Sequence, residues 1–208
     1  MYVARDIHRD IAISGDEVMK HTDSGSDQFR CLFCDEPLTF DPCSTGRFDS
    51  FHHQNHSEPC VAEGNISTAH RVAQEMVAKK VYNLFPHGSK IARVDLERRV
   101  GNKSDFVITD LLSDPARVAI EVIYKNTDLG LQRRLRTLFD EGYAVMLVVV
   151  TTSDLHPDRL ERYLKRVGPI QVGQFDPSTM ATRLGSLVRP GTIDIDAQVW
   201  DVLPQYLS

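Results

Sequence analysis

The chain has 208 residues, 41% hydrophobic and 25% charged, an ordinary globular composition with enough apolar material for one good core and a small appended module. Its net charge of −5 argues against a wholly basic nucleic-acid binder, yet leaves room for a basic patch on an acidic body. The longest apolar run, Tyr143 to Val150, falls far short of the ~18 residues of a membrane span, and the charged N-terminus lacks a signal-peptide apolar segment; a cytoplasmic protein with no membrane partner is expected, its four cysteines serving as thiols or metal ligands rather than disulfides.

Residues 1–66 are rich in Asp, Ser, Gly, His and Cys and poor in apolar periodicity. Such a segment buries too little surface to fold unaided and calls for a staple. "FRCLFCDEPLTF" carries Cys31 and Cys34 as C-x-x-C, and "FHHQNHSEPC" adds His52, His53, His56 and Cys60. Two thiolates on one tight turn with two later ligands fit tetrahedral zinc. A redox C-x-x-C would instead sit in a βαβ unit, which the local pattern does not show. Cys43 is a further candidate ligand.

Residues 67–151 carry strong periodicity. Val72, Met76, Val77, Val81 and Leu84 recur at helical spacing, with Ser67 or Thr68 as N-cap. "IARVDLERRV", "KSDFVITDLL" and "RVAIEVIY" read as successive strands, with "GN" and "SDPA" as turns. "NTDLGLQRRLRTLFDEG" reads as a helix: Thr127 is the N-cap, Leu131, Leu135 and Leu138 form the stripe, and Gly142 ends it. "YAVMLVVV" has the continuous apolarity of a strand covered on both faces. The order is α-β-β-β-α-β, and the helical crossover sets the last strand parallel to the third. Residues 152–208 are weaker in pattern, with a helix at "LHPDRLERYLKRV" and a strand at "IQVGQF"; extra edge elements or a subunit contact are the default reading of this α/β extension.

Three acids fall on the consecutive strands: Glu97, Asp105 and Glu121. Magnesium binds one or two carboxylates and completes its shell with water and phosphate. Strands about 4.8 Å apart would let Asp105 and Glu121 share a cation. Glu121, Ile123 and Lys125 alternate onto one face, so Lys125 could reach back toward the metal; Lys103, two before Asp105, is a second basic candidate. The opposing reading pairs these acids with Arg93, Arg98, Arg99 and Lys103.

Taken together, the helix with His70, Glu97, "KSD" (Lys103–Asp105), "AIEVIYKN", the preceding C-x-x-C module and the "GYAVMLVVV" strand resemble the nuclease domain of the competence protein CoiA-like family, of the PD-(D/E)xK, restriction-endonuclease-like superfamily. The resemblance covers roughly residues 15–151. It implies a restriction-endonuclease-like mixed-sheet core preceded by a zinc-stapled β module, and hydrolysis of phosphodiester bonds in nucleic acid, DNA being the expected form. By position it implies catalytic roles for Asp105, Glu121, Glu97 and His70, with magnesium or manganese at Asp105 and Glu121. Lys103 stands where the family has an arginine. For zinc it favours Cys31, Cys34, His53 and Cys60, with His56 the main rival. The sequence departs from the pattern at Ile123, where the superfamily has lysine and the CoiA-like family glutamine, so Lys125 is expected as a displaced substitute. Arg133, Arg134 and Arg136, just after the catalytic strand, could meet phosphates, as could Lys103. By fold-level analogy alone, a homodimer is expected. Two other readings stay open: a non-cleaving DNA-binding protein with a degraded site, and a zinc-stabilised interaction protein.

Overall fold

The computed structural model describes residues 1–18, 28–42, 49–54, 60–61, 68–85, 89, 93–124 and 130–207. The chain divides into two compact units, Met1–Val94 and Asp95–Ser208. The division falls well beyond the 66/67 boundary read from composition, so the long helix belongs by its contacts to the first unit.

In the first unit, β1 (Val3–Asp6), β2 (Ile11–Ser14), β3 (Phe29–Arg30), β4 (Pro37–Asp41) and β5 (Ser50–His53) form an antiparallel sheet in the order β2-β1-β3-β4-β5. A single turn, α1 (Gly15–Val18), follows β2. Phe29, Leu38 and Phe51 are buried on the sheet, with Phe29 and Phe51 packed edge to face at 5.3 Å. The helix α2 (Thr68–Leu84) packs on β2 and β1. Its expected stripe is buried at Val72, Met76, Val77 and Val81, whereas Leu84 is 54% exposed. Expected N-cap Ser67 lies outside the described residues.

Polar side chains lock α2 to the strands. Asn83 donates to the Ala12 carbonyl and accepts from the Ala12 N–H at 2.7 and 2.8 Å, satisfying backbone groups of the edge strand β2. Glu75 is fully buried, and its Oε2 accepts from the N–H groups of Tyr2 and Val3 at 2.5 and 3.1 Å. Burial pushes its carboxyl up from 4.5 to about 6, although those N–H groups pull the other way.

The second unit is a six-stranded mixed sheet in the order β11-β10-β9-β8-β7-β6. Strands β6 (Asp95–Gly101), β7 (Phe106–Ser113) and β8 (Val118–Ile123) form an antiparallel meander. The helix α3 (Leu131–Asp140) then carries the chain to β9 (Ala144–Val150), which runs parallel to β8. Leu131, Leu135 and Leu138 bury against Val145, Leu147 and Val149, all at most 2% exposed. Gly142, at φ +78°, ends the helix; the expected N-cap Thr127 lies outside the described residues, and Gly130 is the cap, with no side-chain bond.

The tail completes this core rather than decorating it. The helix α4 (Pro157–Leu164) buries Leu160, Tyr163 and Leu164, and β10 (Gly173–Asp176) adds to β9 in parallel. β11 (Ala181–Arg183) forms the edge, and Trp200 of α5 (Val199–Leu207) is buried in the same cluster. None of the described helices is long and apolar enough to cross a membrane.

Glu75 generates a pH prediction. Its raised folded-state value means that the folded chain holds the proton more tightly than the unfolded one. Its contribution is therefore fully present below about pH 4.5 and is lost as pH rises through about 6. Glu75→Gln keeps an acceptor oxygen for Tyr2 and Val3 but cannot ionise. Denaturant titrations should show it gaining about 1–2 kcal/mol on the wild type between pH 4 and 7; a flat difference would show that Glu75 does not titrate in this window.

Candidate functional site

The first unit gathers Cys31, Cys34, His53 and Cys60, whose ligand atoms all lie within 4.8 Å of one another. Among the described residues this is the one set of three or more His, Cys, Asp or Glu placed to hold a metal ion. Cys31 and Cys34 sit on the turn between β3 and β4. That turn is closed by the Cys31 N–H donating to the Glu36 carbonyl at 2.9 Å and by the Asp35 N–H donating to the Cys31 carbonyl at 3.1 Å. Asp35 adopts φ +62° there, held by Arg5 at 2.8 Å. The Phe33 N–H points at Cys31 Sγ at 3.4 Å, which favours a thiolate.

The distances suit a tetrahedral ion. Cys31 and Cys60 sulfurs lie 3.8 Å apart, and Cys34 Sγ lies 3.2 Å from His53 Nε2. Metal–sulfur bonds of about 2.3 Å place sulfurs about 3.8 Å apart around a tetrahedral centre. The donor set could hold a metal and is consistent with zinc. Without a cation these groups resist ionising: the Cys60 sulfur beside it, and then burial, push the Cys31 thiol up, and burial pushes Cys34 up. The rival ligands His56 and Cys43 lie outside the described residues. His52 is exposed, pairing with Ser50 Oγ and Asp41 instead.

In the second unit the three expected acids take different roles. Glu121 is 1% exposed in a strand whose six residues are all buried. Its Oε2 accepts from Arg134 at 2.6 Å, its Oε1 has no partner within hydrogen-bond geometry among the described residues, and the Thr109 side chain lies close enough to favour the ionised form. Burial, and then the neighbouring Asp110 charge, push its carboxyl up to about 7 against the pull of Arg134.

Asp105 is not on a strand. The Asn102 side chain accepts from the N–H groups of Ser104 and Asp105 at 3.0 and 2.7 Å and turns Lys103–Asp105 into the tip of the β6–β7 hairpin. There Asp105 is 63% exposed and pairs with Arg133 at 2.7 Å. Asp105 and Glu121 thus each take a different arginine of α3. The register Leu111↔Ile120, continued by one step, sets Asp110 opposite Glu121. Asp110 is 5% exposed, and its Oδ2 accepts from the Val122 N–H at 2.7 Å, replacing a backbone partner where β7 leaves β8. Glu97 stands at the same level on β6, between the pairs Leu96↔Leu111 and Arg98↔Thr109, with φ +51°. Alternation along "VITDLL" hides Asp110 in the sequence; the pairing register reveals it.

The remaining candidates scatter. Ile123 is 3% exposed and lies within the apolar core. Lys125 lies outside the described residues. His70 is half-buried in the first turn of α2, in the first unit. Lys103 is exposed at the hairpin tip. Arg133, Arg134 and Arg136 are neutralised by Asp105, Glu121 and Asp196. No family model, curated protein or solved structure matches the chain.

The cysteine–histidine cluster generates the second prediction. Purified protein should carry about one tightly held thiophilic metal per chain. Cys31→Ser or Cys34→Ser should release it and destabilise the first unit by several kcal/mol. His53→Ala should release it and His52→Ala should not. Elemental analysis that finds metal-free, equally stable protein would remove the site.

Proposed function

We propose that the chain is a metal-dependent nuclease that hydrolyses phosphodiester bonds, with DNA as the expected substrate. The observation that supports this most is Glu121: a carboxylate at the centre of a fully buried strand, level with a second buried carboxylate on the next strand, and with one oxygen that no described residue bonds in good geometry. A carboxylate is costly to bury without compensation, and Arg134 compensates only one of its oxygens. Glu121 and Asp110 fit magnesium or manganese, hard cations that take one or two carboxylates and leave the rest of their shell to water and phosphate. A cation so held polarises a phosphate and activates water. On this reading Asp110 takes the place expected for Asp105. Within the second unit, the order β6-β7-β8-α3-β9 supports the restriction-endonuclease-like reading. The Cys31, Cys34, His53 and Cys60 site holds zinc as a structural staple.

Ile123 favours a second reading, a nucleic-acid-binding protein that does not cleave. It fills the position where the superfamily has its basic residue, and it is buried in the core, so no strand-borne ammonium accompanies Glu121 there.

Cleavage of plasmid and single-stranded DNA with magnesium or manganese separates the two. Wild type should cut. Glu121→Gln should lose at least a hundredfold in rate and bind DNA as before. Asp110→Asn should lose a similar factor and Asp105→Ala less than tenfold, since Asp105 is exposed and paired elsewhere. The reverse ranking of the two aspartates would restore the original pair. Binding with no metal-dependent cleavage would establish the non-cleaving reading.

A further inference from the structure

The β6–β7 hairpin carries a surface that the fold itself does not require. β6 is the edge strand of its sheet. From Arg98 to Ile108 the hairpin holds three cations, Arg98, Arg99 and Lys103, against the single anion Asp105, and that anion is taken by Arg133. This is a local excess of positive charge on a chain of net charge −5. Charged residues on an edge strand are an ordinary defence against aggregation, but that defence does not explain the apolar residues beside them. Phe106 is 37% exposed and Ile108 is 48% exposed. They alternate with buried Val107 and Thr109 on β7, so both stand on the outward face. Arg99, directly opposite Ile108 in the register, lays its guanidinium over the Phe106 ring at 3.6 Å.

The surface is also preorganised. Gly101 adopts φ +108°, and a Cβ there would meet the Asp105 carbonyl oxygen at 2.6 Å, so the turn requires glycine. The Asn102 N–H donates to that carbonyl at 3.0 Å. Arg99 Nη2 donates to the Asn102 and Lys103 carbonyls at 3.3 and 3.0 Å. The tip that presents Lys103 is therefore fixed from both strands.

We infer that this hairpin is a docking surface for single-stranded nucleic acid, with Lys103 at the tip meeting a phosphate and unpaired bases stacking on Phe106 and its Arg99 cover, flanked by Ile108; Arg98, opposite buried Thr109 in the register, stands on the other face of the edge strand and adds positive charge for the passing backbone. Local positive charge beside an exposed aromatic is what a single strand requires, because bases without partners offer their faces to a ring while the backbone offers one charge per nucleotide. A duplex hides those faces and would leave Phe106 and Ile108 without a role. The inference rests on the nucleic-acid reading above and names the form of the substrate.

The test is fluorescence anisotropy with labelled single-stranded oligonucleotides of about 20 nucleotides and the matching duplex, over a salt series, with no added divalent cation. Wild type should bind the single strand more tightly than the duplex. Arg98→Glu with Lys103→Glu should weaken single-strand binding at least tenfold and flatten its salt dependence. Phe106→Ala and Ile108→Ser should each weaken binding severalfold, approaching tenfold for Phe106→Ala, with the salt dependence unchanged. The charge-reversal variant, whose two side chains stand in solvent, keeps the test open if Phe106→Ala melts the hairpin. Variants that bind within twofold of wild type would overturn the inference and leave the nuclease reading standing, as would a wild-type preference for duplex. A wild type that binds no nucleic acid would overturn both.

Discussion

Glu121 sets the terms for the second unit. Its neighbours on β8 are Ile120 and Val122, its parallel partner on β9 is Leu147, and all are at most 4% exposed. A carboxylate in such a place must be protonated, paired or bound to a cation. Among the described residues Arg134 provides the second outcome on one oxygen. The helix α3 buries Leu131, Leu135 and Leu138 in the core, and that orientation delivers Arg134 to Glu121 and leaves Arg133 to meet Asp105. The sheet meanwhile brings up a second acid instead of a second base. Where β7 parts from β8, Asp110 replaces a lost backbone acceptor by taking the Val122 N–H. Removing one partner of such a buried pair leaves an uncompensated charge and is far more damaging than the pair is stabilising.

The first unit solves a different problem by related means. Its strands are two to five residues long, and its apolar core is modest. Glu75 and Asn83 tie α2 to the backbone of β1 and β2, and four ligand atoms converge where β3, β4, β5 and the segment at Cys60 meet. Both devices substitute specific polar bonds for apolar area. The cysteine–histidine set is the stronger device if it holds a cation, because thiols that resist ionising beside one another then become thiolate ligands and a source of binding energy.

Elements whose signal is local were legible in the sequence. The uninterrupted apolarity of "YAVMLVVV" gave a central parallel strand, and the leucine spacing of α3 gave a helix with its buried face. Ligand chemistry and spacing singled out Cys31 and Cys34 and a short list of later partners, from which the family resemblance chose His53 and Cys60; the four converge. The failures were non-local or came from side-chain competition with the backbone. Asn102 captures the N–H groups that would have started β7 at Lys103, and so moves Asp105 off the strand. Asp110 becomes visible only through the register with β8. The tail showed little periodicity because its order depends on distant partners: Val188 bridges to Val145, and Trp200 donates to the Asp194 carbonyl at 2.9 Å while packing into the sheet's core.

The burial of Ile123 follows from the same geometry. Ile123 alternates onto the Glu121 face of β8, where α3 closes over it, and packs among Leu131, Leu135 and Val149. A lysine there would place an ammonium in apolar surroundings beside a site that already receives a positive charge from α3. Among the described residues the cation beside Glu121 is therefore a guanidinium carried by the helix. A guanidinium stays charged at any working pH and gives up no proton, whereas a desolvated lysine can do so. On the proposed reading Arg134 therefore fixes Glu121 and neutralises charge near the phosphate, but it cannot act as the base that activates water. Among the described residues beside Glu121 that task falls to the acids themselves, and burial pushes the Glu121 carboxyl up to about 7.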